Sequence, residues 1–243
     1  MISLLQSEWY KVRKSNIIYI LFAAPLVGLL IGIVGGSSVF PVEVNQWAGA
    51  LLMMNLTYAL LFLPLVTGVL AATVCRYEHQ AGGWKQLLAL PVTRGKVFMS
   101  KYLLLIMLVL VVQVLYLGSI FVVGIVHGFT DSFPMEIVWK SILGGWVATF
   151  PLVALQLWMS ILFKSFAASF SVNVIFTLPT ILAINSEKFG PYYPWAQPVF
   201  MMNVGGDTSE FFFIPWEQLI TVVGGSFLLF FIGGFLYFQR KSV

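Results

Sequence analysis

Charged residues are missing from long stretches of the chain: residues 15–42, 44–75, 102–130, 141–163, 165–186 and 218–239 carry none. A helix needs about 20 mostly apolar residues to cross a bilayer. Each stretch holds such a core, so the pattern predicts six membrane-spanning helices. A seventh charge-free stretch, 189–206, differs. It carries Pro191, Pro194 and Pro198 with Gly190, Gly205 and Gly206. Prolines so closely spaced remove backbone donors and exclude a continuous helix. Residues 187–217 therefore read as an extracellular cap or a re-entrant element.

Composition agrees with the pattern. The 243 residues are 60% apolar, 16% aromatic and only 9% charged. A soluble domain carries about 25% charged residues. The predicted fold class is all-α integral membrane, with residues 1–243 as one transmembrane domain. A nucleic-acid binder is not expected at this composition, the chain is too apolar for disorder, and Cys75 alone cannot build a disulfide scaffold. The segment before the first apolar stretch is long for the leading region of a signal peptide, so the first span is expected to be retained.

The net charge of +4 hides an asymmetry. With the N-terminus in the cytoplasm, the inner side holds Lys11, Arg13, Lys14, Arg76, Lys85, Arg94, Lys96, Lys101, Lys164, Arg240 and Lys241. The outer side holds only Lys140 and Lys188. Positive residues favour the cytoplasmic side of short loops, so six spans with both termini cytoplasmic satisfy the rule. The acids divide the other way. Glu8 and Glu78 lie inside, and Glu43, Asp131, Glu136, Glu187, Asp207, Glu210 and Glu217 lie outside.

Two cytoplasmic pieces stand out. In residues 1–15, Leu4, Leu5, Trp9 and Val12 recur at helical spacing while Glu8, Lys11 and Lys14 are expected to face elsewhere. This predicts an amphipathic elbow helix in the membrane interface, anchored by Trp9. Residues 76–101 form the longest cytoplasmic connection. Gly82 and Gly83 give a flexible lead-in, Trp84, Leu87 and Leu88 share one helical face, and Pro91 ends the helix. Thr93 is placed to cap the third span. A short helix with an exposed Trp suits either a groove on a partner protein or the membrane surface.

Glu78, the Gly82-Gly83-Trp84 run, Leu87-Leu88, Pro91, Arg94 and Lys101 resemble the loop of type-2 ABC exporter permeases. The chain more closely resembles the small membrane subunits of lantibiotic-immunity and antimicrobial-peptide exporters. The resemblance implies an elbow helix, six spans, a coupling helix between spans two and three, and an irregular extracellular segment between spans five and six. It implies that residues 84–90 sit in a cleft of a separate ATP-binding subunit, with Glu78, Trp84, Lys85, Leu87, Leu88, Arg94 and Lys96 at that contact. Two copies of this subunit would bind ATP and Mg, and a second identical or similar permease would complete the assembly in a bacterial plasma membrane. No cofactor is expected on this chain. Its one Gly-Lys pair, Gly95-Lys96, is followed by Val97, and Leu90 stands where the first glycine of a P-loop belongs.

Other readings bear on mechanism. No Asp, Glu, Lys, Arg or His falls near the centre of a span, whereas a proton- or sodium-driven carrier usually needs one. The mid-span polar residues are Gln113, Gln156 and Asn173, with Asn55 nearer an end. These amides either line a substrate path or, as the favoured reading, bind neighbouring helices. Pro25, Pro64, Pro151 and Pro179 interrupt four spans. Outer acids would attract a cationic peptide, or they are simply what remains where Lys and Arg are excluded. Tyr192, Tyr193, Trp195, Phe200, Phe211, Phe212, Phe213 and Trp216 suit the outer interface. His79 and His127 fall on opposite sides and cannot share a metal, and Ser37 and Ser38 have no catalytic constellation around them. An enzyme is not expected. The reading is a transport subunit for a hydrophobic or amphipathic cargo, a bacteriocin-like peptide first. A lipid or cell-wall precursor is the alternative cargo, and a stand-alone channel or secondary carrier is the rival from another class.

Overall fold

The computed structural model describes residues 1–15, 17–35, 45–80, 82–203 and 216–241. Glu43, Asp207, Glu210, Ser37, Ser38, Gly205, Gly206, Phe211, Phe212 and Phe213 lie outside the described residues, as does the side chain of Trp216. The described residues form helices and no strands. Six helical segments are long and apolar enough to cross a membrane: Ile17–Gly35, Gln46–His79, Arg94–His127, Met135–Leu162, Phe166–Ala183 and Glu217–Arg240.

In chain order the elements are α1 (Ile2–Arg13), α2 (Ile17–Gly35) and α3 (Gln46–Thr57), then a π-helical turn (Tyr58–Phe62) running into α4 (Leu63–His79). The short α5 (Gly83–Ala89) precedes α6 (Arg94–His127) and α7 (Met135–Leu162). The fifth span is divided into α8 (Phe166–Thr177) and α9 (Thr180–Ala183), and α10 (Gln197–Met202) precedes α11 (Trp216–Arg240).

Local chemistry accounts for the breaks. Asn45 caps α3, its side chain accepting from the backbone N–H groups of Trp47 and Ala48. Pro64 has no N–H for the carbonyl of Leu60, and the wider π turn is where that mismatch is absorbed. Pro179 separates α8 from α9. Thr93 caps α6 through the N–H of Lys96, and Gly128 closes it in the left-handed conformation at φ 63°.

The glycines before α5 differ from expectation. They are sterically required rather than flexible. Gly82 has φ +71°, and a Cβ on Gly83 would lie 2.8 Å from the carbonyl of Tyr77 and 2.9 Å from the Cα of Glu78. α5 can therefore fold back tightly beneath α4.

Packing centres on α7, which contacts α4, α6, α8, α10 and α11. α2 lies along α6, and α1 crosses the base of α6. Every residue of α10 is buried. A 3₁₀ turn (Gly190–Tyr192) leads towards α10. α10 packs against α7, α11, α3 and the π turn. Pro191 and Pro198 are thus buried in an inward-folded segment, and the Met202 carbonyl that ends α10 accepts from Asn55 at 3.0 Å.

Candidate functional site

The base of the helix bundle holds a group of buried charges. Glu8 comes from α1, Glu78 from the last turn of α4 and Lys101 from the second turn of α6. Lys101 is fully buried, and both carboxylates are 3% exposed. Its ammonium lies 2.6 Å from Glu8 and 2.9 Å from Glu78. Lys11, half-buried at the rim, lies 2.7 Å from each carboxylate. Two acids and two bases make the cluster neutral, and Lys101 also donates to the Val74 carbonyl at 3.3 Å. One oxygen of Glu78, Oε2, has no hydrogen-bond partner among the described residues.

Such a cluster couples what it joins. Removing a single partner leaves a charge buried and uncompensated, which is far more costly than the pair is stabilising. The ends of α1, α4 and α6 are therefore held in one arrangement. α5 is tied to the same point. Its Trp84 packs over Lys101, 5.8 Å from ammonium to ring centroid, and against Phe238 of α11. The indole N–H donates to Nδ1 of His79 at 3.2 Å, and Nε2 of His79 meets the Ser160 carbonyl at 2.7 Å. Since Nδ1 accepts, the proton sits on Nε2 and donates to Ser160. Both ring nitrogens are thereby occupied.

The structure places the sequence-predicted contacts on two opposite faces. Trp84, expected to be exposed, is 5% exposed and turned inward. The apolar face of α5 finds its groove within its own chain, with Leu87 and Leu88 half-buried on the same side. What α5 presents outward is Lys85, Gln86 and Ala89, followed by Leu90 and Pro91. Leu90 is 55% exposed. Arg94 is also engaged internally, donating to the carbonyls of Gln239 at 3.1 Å and Lys241 at 2.5 Å at the end of α11. A cation at a helix C-terminus complements its dipole. Lys96 is exposed. Lys241 donates to the Ile161 carbonyl, and burial draws its ammonium below the ordinary lysine value.

On α1, Val12 is buried, Leu4 and Leu5 are half-buried, and Trp9 is exposed. Glu8 departs from expectation: it does not face away from the apolar side but points into the protein. Its spacing explains this, because it falls four residues after Leu4 and four before Val12, on their stripe. Glu8, Lys11 and Lys101 are the residues that sequence reasoning missed as a site. A signal was present. The charge placement expected from the sequence puts just two acids, Glu8 and Glu78, on a side with eleven bases.

The mid-span amides are bound by neighbouring helices. Gln113 accepts from the Tyr58 hydroxyl at 2.9 Å and donates to the Ile142 carbonyl at 3.3 Å. Tyr58 stacks on Tyr116, centroids 3.7 Å apart, and the Tyr116 hydroxyl donates to Asn55. Asn173 accepts from Gln156 at 2.6 Å and from the Trp195 indole at 2.8 Å, and donates to the Pro64 carbonyl at 2.8 Å. Each amide is at most 1% exposed, so none of the three lines an open path in this arrangement.

At the opposite end, Asp131 accepts from the Gln46 N–H at 2.8 Å, and Glu136 pairs with Lys140 at 2.5 Å. A groove of about 540 Å³ runs between Tyr192 and α11, lined by Glu217, Gln218, Thr221, Val222, Gly225 and Ser226. Tyr193 donates to the Phe176 carbonyl, and burial raises its phenol above the usual value.

Among the described residues no three His, Cys, Asp or Glu side chains converge as a metal site would require. Cys75 is fully buried. A thiol reacts as an exposed thiolate, so Cys75 is expected to resist a maleimide in the folded chain and to label fully after denaturation. Mass spectrometry of the labelled protein checks this.

A family model for the ABC-2 family transporter protein matches residues 4–180, well over half of the chain. No curated protein matches it. The matched region takes in α1 from Leu4 onward, α5 and the buried charge cluster. The chain belongs to this family: it is a membrane subunit of an ABC-2 type transporter, a permease class without ATPase domains that implies an ATP-binding cassette partner.

Proposed function

We propose that the chain is the membrane-spanning subunit of an ATP-driven exporter for hydrophobic or amphipathic cargo, foremost a bacteriocin-like peptide, working as a permease pair with two ATP-binding subunits. The observation that carries the coupling part is the two-sidedness of α5. Its inner face is fixed by Trp84 on Lys101, His79 and Phe238, while Lys85, Gln86, Ala89 and Leu90 face outward. A partner pressing on that outer ridge would move a helix already clamped to α1, α4, α6 and α11. Glu78, Arg94 and Trp84 then serve as the internal anchorage of the ridge, and Lys85 and Lys96 remain as direct contacts.

The cargo part is supported by the outer groove. Its apolar wall of Tyr192 and Val222 stands beside the Glu217 carboxylate. An amphipathic cation finds both of its faces matched there. The segment around α10 would border the exit. A lipid or cell-wall precursor is the second cargo, because the groove opens beside a sparsely buried helix: 17% of the apolar window of Glu217–Arg240 is buried.

Reconstitution with the cognate ATPase tests both parts. Cationic amphipathic peptides are expected to raise ATP turnover, and Glu217→Lys to weaken that stimulation several-fold with basal turnover intact. Stimulation by lipid precursors alone would transfer the assignment to the second cargo. Leu90→Asp is expected to release the ATPase on copurification while the permease stays folded. Transport driven by a proton gradient without ATP would sink the proposal.

A further inference from the structure

A groove of about 410 Å³ lies between α1 and α6, lined by Leu5, Gln6, Trp9, Tyr10, Arg13, Leu104 and Met107. Its construction follows from helix spacing. Leu5, Trp9 and Arg13 stand four residues apart and share one side of α1. Leu104 and Met107 stand three apart on α6 and give the facing wall. The chemistry changes along the groove. Leu5, Leu104 and Met107 are apolar, Trp9 and Tyr10 are amphipathic, and Arg13 is charged.

Arg13 differs from Lys11 and Lys101, its neighbours on α1 and α6. Lys11 and Lys101 have their charges matched by Glu8 and Glu78. Among the described residues, no carboxylate pairs with Arg13. Both acids on this side of the protein are used up inside the cluster. A free guanidinium at the mouth of an apolar groove calls for an anion that also carries hydrocarbon.

Depth in the membrane gives the same answer. α6 has 34 residues, so it is ~50 Å long against a hydrocarbon core of ~30 Å. The excess lies partly at its charged start, and Lys101 is its last charged residue before the outer end. Leu104 and Met107 come one and two turns beyond, where acyl chains begin. Trp9 is 48% exposed, Tyr10 61% and Met107 48%, so the groove opens outward towards that boundary. The cytoplasmic leaflet beside a basic face is the anionic one.

We propose that this groove is a binding site for an anionic glycerophospholipid of the cytoplasmic leaflet. The phosphate sits on Arg13, whose planar guanidinium can donate two parallel hydrogen bonds to it. Gln6 and Tyr10 border the headgroup, and an acyl chain lies along Leu5, Leu104 and Met107. Because α1 is clamped to α4 and α6 through Glu8, the lipid would be read at the same joint that holds α5.

The test uses the full-length chain in detergent, titrated with phosphatidylglycerol bearing brominated acyl chains and, in parallel, with equally brominated phosphatidylcholine. The Trp9 contribution to quenching is isolated by subtracting a Trp9→Phe chain. Phosphatidylglycerol is expected to quench Trp9 at several-fold lower lipid fraction. Arg13→Gln is expected to weaken phosphatidylglycerol quenching about fivefold, the effect of one interfacial cation, and to abolish the preference. Lys164→Gln, which changes an exposed base outside the groove, is expected to keep it. Equal quenching by the two lipids, a preference surviving Arg13→Gln, or a preference lost equally in Lys164→Gln would each overturn the site.

Discussion

A Lys101→Met chain is expected to lose about 3–5 kcal/mol of stability, the cost of breaking a buried ion pair from one side. Glu8 and Glu78 would then share only Lys11, at 2.7 Å from each. The loss is due to stranded charge rather than to missing contacts, and that distinction can be measured. Glu8→Gln added to Lys101→Met returns the cluster to one acid and one base. The double variant is expected to be more stable than Lys101→Met alone, a coupling that additivity cannot produce. Unfolding titrations in mixed detergent micelles provide the comparison. If the double variant were as unstable as the sum of the singles, the cluster would not act as an electrostatic unit.

Gly68→Ala is expected to have the next largest effect, although it adds one methyl group. A Cβ at Gly68 would overlap the Asn173 amide nitrogen and lie 2.6 Å from its Cγ. Overpacking of this kind costs about 1–3 kcal/mol. Asn173 cannot move away without releasing Gln156, Trp195 and the Pro64 carbonyl. Each interhelical bond adds about 0.6 kcal/mol. The fifth span would be the one to loosen, because 22% of its apolar window is buried and Asn173 is its main polar hold on α4 and α7. Gly118→Ala is the control. Nothing lies within 4 Å of its Cβ position, so the better helix former should leave the protein unchanged or stabilised by about 1 kcal/mol. Equal melting behaviour of the two variants would refute the account.

The six spans were legible because a bilayer selects for long charge-free runs, and such runs are a local property of the chain. The amphipathic character of α1 and α5 was legible for the same reason. The direction of α5 was not. Seven residues with one apolar face fit a partner's groove or their own equally well, and the choice depends on Phe238 and His79, one of them more than 150 residues away. The burial of Lys101 was illegible for a related reason. Ending a span at its first charge treats a paired lysine as a hydrated one, and pairing depends on where Glu8 and Glu78 arrive in space. The amides were half legible. Their type announced that hydrogen bonds would be made, and only the packed helices named Tyr58, Trp195 and Pro64 as the partners.

The neutrality of the cluster at the base of α6 governs how the transporter meets an electric field. A membrane potential does ~2.3 kcal/mol of work on each elementary charge carried through 100 mV. Glu8, Lys11, Glu78 and Lys101 sum to zero. If they travel as one body they carry no gating charge, and α6 bears no further Asp, Glu, Lys or Arg from there to its outer end. Movement of this cluster together with the outer part of α6 is then electrically silent. Voltage dependence in turnover would accordingly come from the cargo or from bases outside the cluster, such as Arg94 and Lys96, and neutralising those two separates the sources.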